Sequence, residues 1–164
     1  MSQLSYALIH AAGYEGGRGD SRPAGIHSGR NNSVVEIPYG RFVVYDTGAG
    51  TTELAVKLPS ASGQNVRGIL LHDAAHEPQV TGLPVGGMGS ILAQGTVWMV
   101  TEQAVTPADP VFMRFAMVTG SGTLPAVGKV RKDADTADAE ARANCRFLTI
   151  AAAGGLVLVD CNLP

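Results

Sequence analysis

The sequence has few cysteines, little charge and no long apolar run, and each shortage excludes a class of protein. Cys145 and Cys161 are too few for a disulfide framework, and we expect them to pack as small apolar groups. No charged segment followed by an apolar one opens the chain, so we expect synthesis in a reducing cytoplasm. No apolar run approaches the ~20 residues that cross a bilayer. We therefore expect a soluble protein without a membrane partner.

The scarcity of charge also limits the ligands. Only 16% of the residues are charged and the formal net charge is −2, so the chain lacks the basic surface that binds phosphate backbones. We expect no nucleic-acid partner. We also expect no cofactor, because Glu53 stands where a dinucleotide fingerprint beginning at Gly48 needs its third glycine.

Glycine and proline are plentiful. The 21 glycines and 9 prolines interrupt the chain so often that few helices longer than three turns can fit, which favours an all-β class. A chain of 164 residues can bury one ordinary core. We predict a compact β-barrel or sandwich of two similar halves over residues 34–164, preceded by an extended arm at residues 1–33. At most one short helix is expected.

Residues 89–115 carry the clearest strand, turn, strand pattern. The run 96–101 around Trp98 is rich in β-branched and large side chains, and Gly95 is expected to bend the chain before it. Asp109 is expected to bond its own backbone in the following turn. Further strands are predicted within 34–45, 53–58, 66–72, 111–115, 145–150 and 156–159.

Three other patterns concern the chain's organisation. A weak repeat relates segments 37–44 and 66–71 to segments 105–112 and 144–149, each giving a turn, a strand, a variable loop and a returning strand. Residues 74–88 are rich in glycine and proline and are predicted to form a surface loop. Residues 133–143 are rich in alanine, with acids toward the first turn, which favours a helix; a solvated acidic loop is the alternative.

Asp46-Thr47-Gly48 resembles the catalytic triplet of retroviral-type aspartic proteases. In those enzymes two aspartates share one proton, and a homodimer would supply the second copy. The alternative is an ordinary turn, which these residue types also favour. Acid-optimal cleavage lost in Asp46→Ala would support the protease hypothesis.

Two other short motifs carry less weight. His72 and His76 have a spacing that binds metal on a helix, but Pro78 follows and no third ligand is evident, so no metal is expected. Arg18-Gly19-Asp20 matches an integrin-binding tripeptide, which we interpret as a coincidence of composition.

The arm is rich in glycine and poor in large apolar side chains after its first residues. Such a segment is either a frayed terminus or is ordered by contact with a neighbouring subunit. In the second case Arg18, Arg22 and Arg30 would meet acidic groups there.

Segments along nearly the whole chain resemble, in order, the structural cement or capsid decoration proteins of tailed bacteriophages. The matching segments are RPAGI (22–26), IPYGRFV (37–43), VKLP (56–59), VRGI (66–69), GTVWMV (95–100), ADPVF (108–112) and the ending from residue 145 to residue 164. Residues 74–88 and 133–138 depart from the family's pattern.

The resemblance implies a non-enzymatic homotrimer on the outer surface of the head that ties neighbouring major capsid subunits together. The chain would be made in the cytoplasm of a bacterial host and reside in the virion. Other virion roles, such as a head-fibre base or a tail component, remain alternatives. We expect five residues of the arm to contact the capsid or a neighbouring subunit, and two aromatic residues to pack between subunits. The arm residues are Arg18, Arg22, Pro23, Ile26 and Arg30. The aromatic residues are Trp98 and Phe112.

Overall fold

The computed structural model describes residues 13–48, 54–72, 81–117 and 127–164. These residues form an all-β structure, as predicted, and the one helical element among them is the 3-10 turn Asp135–Ala137. The same residues include no helix with the length and hydropathy that a bilayer crossing requires.

Eleven strands occur in the described residues. They are β1 Gly25–Asn31, β2 Ile37–Pro38, β3 Phe42–Tyr45, β4 Ala55–Lys57, β5 Val66–Leu70, β6 Gly82–Leu83, β7 Met88–Val100, β8 Pro110–Arg114, β9 Val130–Arg131, β10 Ala139–Phe147 and β11 Leu156–Asn162. Nine of them form one sheet, and β2 pairs separately with β6. The strand predicted at 96–101 is thus the second half of the 13-residue β7.

The first half of β7 closes a barrel. Leu92 lies opposite Ile26 of β1 on one edge and opposite Ile69 of β5 on the other. The ring is completed because β1 pairs with β4, β4 with β3, and β3 with β5. Five strands therefore form a closed barrel, an arrangement that leaves no free edge along the ring.

The second half of β7 begins a second ring. It pairs antiparallel with β11, which continues the sheet through β10, β8 and β9. β9 returns to the end of β7 by the bridge between Thr101 and Val130, and the Glu102 amide donates to the Val130 carbonyl at 3.0 Å. In each half of the weak repeat the first strand pairs with the returning strand. These pairs are β3 with β5 in the first half and β8 with β10 in the second half.

Buried side chains form two cores on opposite faces of β3, β5 and β7, because successive residues of a strand point to opposite sides. Val43, Leu70 and Ile91 belong to a cluster drawn from barrel strands, the β2–β6 pair and Tyr39 after β2, so this cluster fills the barrel. Phe42 and Leu92 belong to the larger cluster, which also includes side chains from β8, β10 and β11. The two rings are therefore packed against each other through the outer face of the barrel.

The helix predicted at 133–143 is wrong. Asp135, Thr136 and Ala137 have φ angles of 42°, 55° and 79°, which a right-handed helix excludes, and β10 begins directly afterwards. Alanine favours a helix only weakly, whereas β10 gains backbone hydrogen bonds to β8 and β11. Tertiary pairing thus overrides the local preference.

Two further stretches differ from their predicted description. The sequence indicated no strand within residues 13–33, yet β1 pairs inside the chain with both β4 and β7. Within the predicted loop 74–88, β6 and the start of β7 are strands, while residues 73–80 lie outside the described residues. Asp109 behaves as predicted, since its carboxylate accepts the Thr106 amide at 2.7 Å.

Gly68 marks the closest approach of β5 to β7. Its φ is 154°, and a Cβ at this position would lie 2.3 Å from the Leu92 carbonyl oxygen. Since that oxygen belongs to the backbone, the two strands would have to separate. We expect Gly68→Ala to lower the free energy of unfolding by about 2–4 kcal/mol, measured by urea denaturation.

The matched control for this substitution is Gly63→Ala. Gly63 also has a positive φ, 74°, but a Cβ on Gly63 would have nothing within 4 Å of it. Gly63→Ala therefore carries backbone strain alone, about 1 kcal/mol. Equal losses in the two variants would show that strand separation at Gly68 costs nothing.

Candidate interaction surface

Residues of the predicted arm lie along the edge of β7 that β11 leaves free. The Gly16 amide donates to the Trp98 carbonyl at 2.8 Å, and the Trp98 amide donates to the Gly17 carbonyl at 2.8 Å. The Gly19 amide donates to the Thr96 carbonyl at 3.0 Å. These bonds satisfy the Trp98 amide and carbonyl and the Thr96 carbonyl on this edge.

Glycine allows this segment to approach β7 and β11 closely. A Cβ on Gly13 would lie 2.2 Å from Cδ1 of Trp98, and a Cβ on Gly19 would lie 2.2 Å from Cδ1 of Leu158. Trp98 and Leu158 are directly opposite each other on β7 and β11. The glycine-rich composition of the arm therefore lets it cover two large apolar side chains of its own chain.

The charged groups of the segment are partly used within it. Arg18 Nη2 donates to the Arg22 carbonyl at 2.7 Å, and the Arg22 side chain forms an ion pair with Asp20 at 2.5 Å. Asp20 of the Arg18-Gly19-Asp20 tripeptide is thus engaged locally. All five predicted contact residues of the arm are exposed. They are Arg18, Arg22, Pro23, Ile26 and Arg30, and Ile26 is 41% exposed.

The outward side of β1 and the turn before β7 form a surface that we call the β1 face. It consists of Ile26, Ser28, Arg30, Val85 and Met88, whose three apolar members are 41%, 58% and 48% exposed. Arg30 lies opposite Met88 in the β1–β7 register, and its Nη2 would lie 3.8 Å from a Cβ on Gly86. None of the ion pairs among the described residues involves Arg30, and this face places its guanidinium beside apolar side chains.

A second apolar surface lies on β7 and β11, and we call it the β7–β11 face. It consists of Trp98, Val100, Leu156 and Leu158, all half-buried, with Trp98 opposite Leu158 and Val100 opposite Leu156. Phe112 is also half-buried but lies on β8, and β11 and β10 separate β8 from β7. The two residues predicted to pack between subunits therefore lie on separate strands of the sheet.

Acidic side chains that follow β7 and β9 neutralise two buried arginines. Glu102 pairs with Arg114 at 2.7 Å and with Arg131 at 3.2 Å, and Asp135 accepts hydrogen bonds from both guanidiniums. Asp133 adds a 2.6 Å ion pair to Arg131. Burial raises the pKa of Glu102, and the charge of Arg131 opposes that shift. The network holds the left-handed turn at Asp135 against β8 and β9, because breaking it would leave buried charges unpaired.

Asp46 lies in a hydrogen-bonded turn after β3. Its carboxylate accepts Asn32 Nδ2 at 2.6 Å and the Gly48 amide at 3.3 Å, and it forms a 3.0 Å ion pair with Lys57. The hydrogen bonds from Asn32 and Lys57 lower the pKa of Asp46. A protease dyad needs a second carboxylate that shares a proton, whereas Asp46 faces a cation. The geometry agrees with the turn interpretation.

His72 packs between aromatic rings. Its imidazole stacks on Tyr39 with a centroid distance of 4.5 Å and meets the edge of Tyr14 at 5.0 Å. His76 lies outside the described residues. Among the residues that the structure does describe, no group of three or more His, Cys, Asp or Glu side chains is placed to hold a metal ion.

The sequence analysis did not find the β1 face, and the pattern that could have found it is weak. Alternation of Ile26, Ser28 and Arg30 is a strand pattern, but serine and arginine make it a weak one. Met88 and Val85 lay in the predicted loop, so their position opposite β1 depends on the β1–β7 register.

The chain matches the sequence model of one protein family and shares its fold with a protein of known structure. The sequence model of a family described as structural cement protein (E217 gp24/Pam3 gp6) matches residues 2–162. A chain from the solved structure titled "The capsid of Myoviridae Phage XM1" has a TM-score of 0.69 and 18% sequence identity, with 97% of this chain and 97% of that chain covered. At this identity the likeness shows a shared fold. No curated protein matches the sequence.

The lowered pKa of Asp46 makes one contribution to stability depend on pH. Because the folded-state pKa lies below the unfolded value, ionised Asp46 stabilises the fold above the unfolded pKa, and this contribution is lost as the pH falls through the folded pKa. We expect Asp46→Asn to be less stable than the wild type by about 0.5–1 kcal/mol at neutral pH. The difference should shrink to zero in strong acid, measured by urea denaturation across a pH series.

Lys57→Met provides the control for this prediction. If the ion pair carries the effect, adding Asp46→Asn to Lys57→Met should cost less than Asp46→Asn alone. A difference between Asp46→Asn and the wild type that stays constant from neutral to acid pH would contradict the role of the ionised carboxylate.

Proposed function

This chain belongs to the structural cement protein family, and on that premise we propose that it binds as a trimer to the outer surface of a tailed-phage head. In this role it ties neighbouring major capsid subunits together and catalyses no reaction. The family match along nearly the whole chain is the observation that supports the proposal.

The stabilisation follows from mass action. A protein that binds only the assembled shell lowers the free energy of that shell relative to its separated subunits, by an amount that grows with its free concentration. Bridging two capsid subunits also makes the second contact intramolecular, which adds avidity without a single strong contact. A decorated head would thus resist the pressure of packaged DNA better than a bare one.

The capsid-binding surface in this proposal is the β1 face. Its three exposed apolar side chains offer area to bury, and Arg30 offers a guanidinium for a capsid carboxylate. Arg18, Arg22 and Pro23 extend this contact along the arm toward the capsid or a neighbouring subunit. A guanidinium beside apolar side chains combines the burial of apolar area with a directed contact to one carboxylate.

The trimer contact in this proposal is the β7–β11 face. Trp98 and Leu158 already lie close to glycines of the arm, and Val100 and Leu156 are next to them in register. A partner could bury the area of the four side chains that remains exposed. Trp98 supplies the largest apolar area of this face. Phe112 on β8 is proposed as a second packing site between subunits.

Met88→Asp tests the capsid contact. A carboxylate in the β1 face would be desolvated on binding, so we expect affinity for capsids that lack the protein to fall at least about tenfold, which corresponds to about 1.4 kcal/mol. The measurement is the number of copies that pellet with purified capsids as protein concentration is raised. Substitution is preferable to deleting residues 1–33, because β1 is a strand of the barrel.

Ser62→Asp is the matched control, since Ser62 is exposed in the β4–β5 connection, away from the β1 face. It should bind like the wild type and reach the same number of copies per capsid. Wild-type binding by Met88→Asp would place the capsid contact elsewhere. A wild-type protein that binds neither immature nor expanded capsids would overturn the proposed function itself.

Sedimentation equilibrium tests the trimer. The wild type should have three times the mass of the 16.9 kDa chain, and Leu156→Asp should shift it toward the monomer by placing a charge in the β7–β11 face. Val34→Asp is the control, because Val34 is 93% exposed and outside that face. A monomeric wild type would refute the trimer, and a trimeric Leu156→Asp of wild-type stability would refute this location.

A further inference from the structure

Cys145 and Cys161 lie directly opposite each other on the antiparallel strands β10 and β11. Directly opposed residues point to the same face, and their Cα atoms are ~4.5–5.5 Å apart. A disulfide requires a Cα separation of ~4.4–6.8 Å, so the strand register alone meets this requirement. The Cys145 side chain also raises the pKa of the Cys161 thiol, as expected for adjacent side chains.

Both thiols are free and buried, with Cys145 8% exposed and Cys161 2% exposed. A surface cavity of about 400 Å³ lies over the pair and is lined by neighbours on both strands, including Asn144, Arg146 and Asp160. β10 loses its register with β8 between Ala141 and Arg146, next to this cavity. Both thiols belong to the larger core cluster, so a local opening of β10 beside this cavity would expose the pair to a small oxidant.

We propose that Cys145 and Cys161 form an oxidative modification site, at which an intramolecular disulfide links β10 to β11. The oxidant is a small-molecule disulfide. One cysteine thiolate attacks it and releases one small thiol, and the second cysteine then displaces the other small thiol from the mixed disulfide. Two S–H bonds of the protein are lost, one S–S bond forms between the cysteines, and the oxidant is reduced to two thiols.

The surroundings of the pair make this reaction slow at neutral pH. The Cys145 side chain and burial raise the pKa of Cys161 well above its ordinary value. Since the thiolate is the reactive form, the rate should increase as the pH rises. The pair stays reduced in a reducing compartment and becomes linked after prolonged exposure to an oxidising one.

The link would stabilise the second ring of strands. Fifteen residues separate the two cysteines, so a disulfide closes a loop of moderate length and restricts the unfolded chain. β11 lies between β7 and β10 in the sheet, so the disulfide would tie β10 to the strand that pairs with β7. The expected increase in Tm is roughly 5–10 °C.

The test is oxidation of the purified full-length chain by oxidised glutathione at mildly alkaline pH. Intact mass should fall by about 2 Da, both thiols should become unreactive to a thiol reagent after denaturation, and the Tm should rise and return to its starting value after reduction. A peptide joining Cys145 to Cys161 should appear on proteolysis. Cys145→Ala and Cys161→Ala, checked for folding by circular dichroism, should show neither the mass loss nor the increase in Tm.

Three results would overturn the proposal. Two free thiols that persist in the folded protein under conditions that oxidise the unfolded chain would show that the pair is not accessible. A stable glutathione adduct on one cysteine, or a disulfide between two chains, would show that the thiols do not pair with each other. A correctly formed link that leaves the Tm unchanged would refute the stabilising role.

Discussion

The backbone hydrogen bonding of β7 is the constraint on which the rest of the structure depends. A 13-residue strand presents unpaired amides and carbonyls on both edges, and buried backbone groups must find partners. β1 and β5 supply them along the first half of the strand, and β11 and the segment from Gly16 to Gly19 supply them along the second half. Both rings of strands therefore share β7.

This arrangement decides which side chains are left for a partner. Several charged groups near the second ring neutralise one another, as Arg114 and Arg131 do with Glu102 and its acidic neighbours. On the β1 face, by contrast, the charge of Arg30 lies beside the apolar side chains of Ile26 and Met88. Surfaces of this kind suit a protein whose role is binding, and the family to which the chain belongs is structural.

The sequence predicted well what local chemistry controls. The all-β class followed from glycine and proline, the strand around Trp98 from its β-branched neighbours, and the Asp109 turn from the short reach of its carboxylate. The helix at 133–143 failed because alanine's preference is small compared with the backbone bonds that β10 gains from two neighbouring strands.

The sequence by itself therefore determined the fold class, the turns, most strands of the second half of the chain and the resemblance to the cement family. Only the tertiary structure decided that Gly25–Asn31 is a barrel strand, that Met88 lies beside Arg30, and that Cys145 lies opposite Cys161. The physical reason is that side-chain preferences act over a few residues, whereas strand register is set by hydrogen bonds and packing between segments that are distant in the chain.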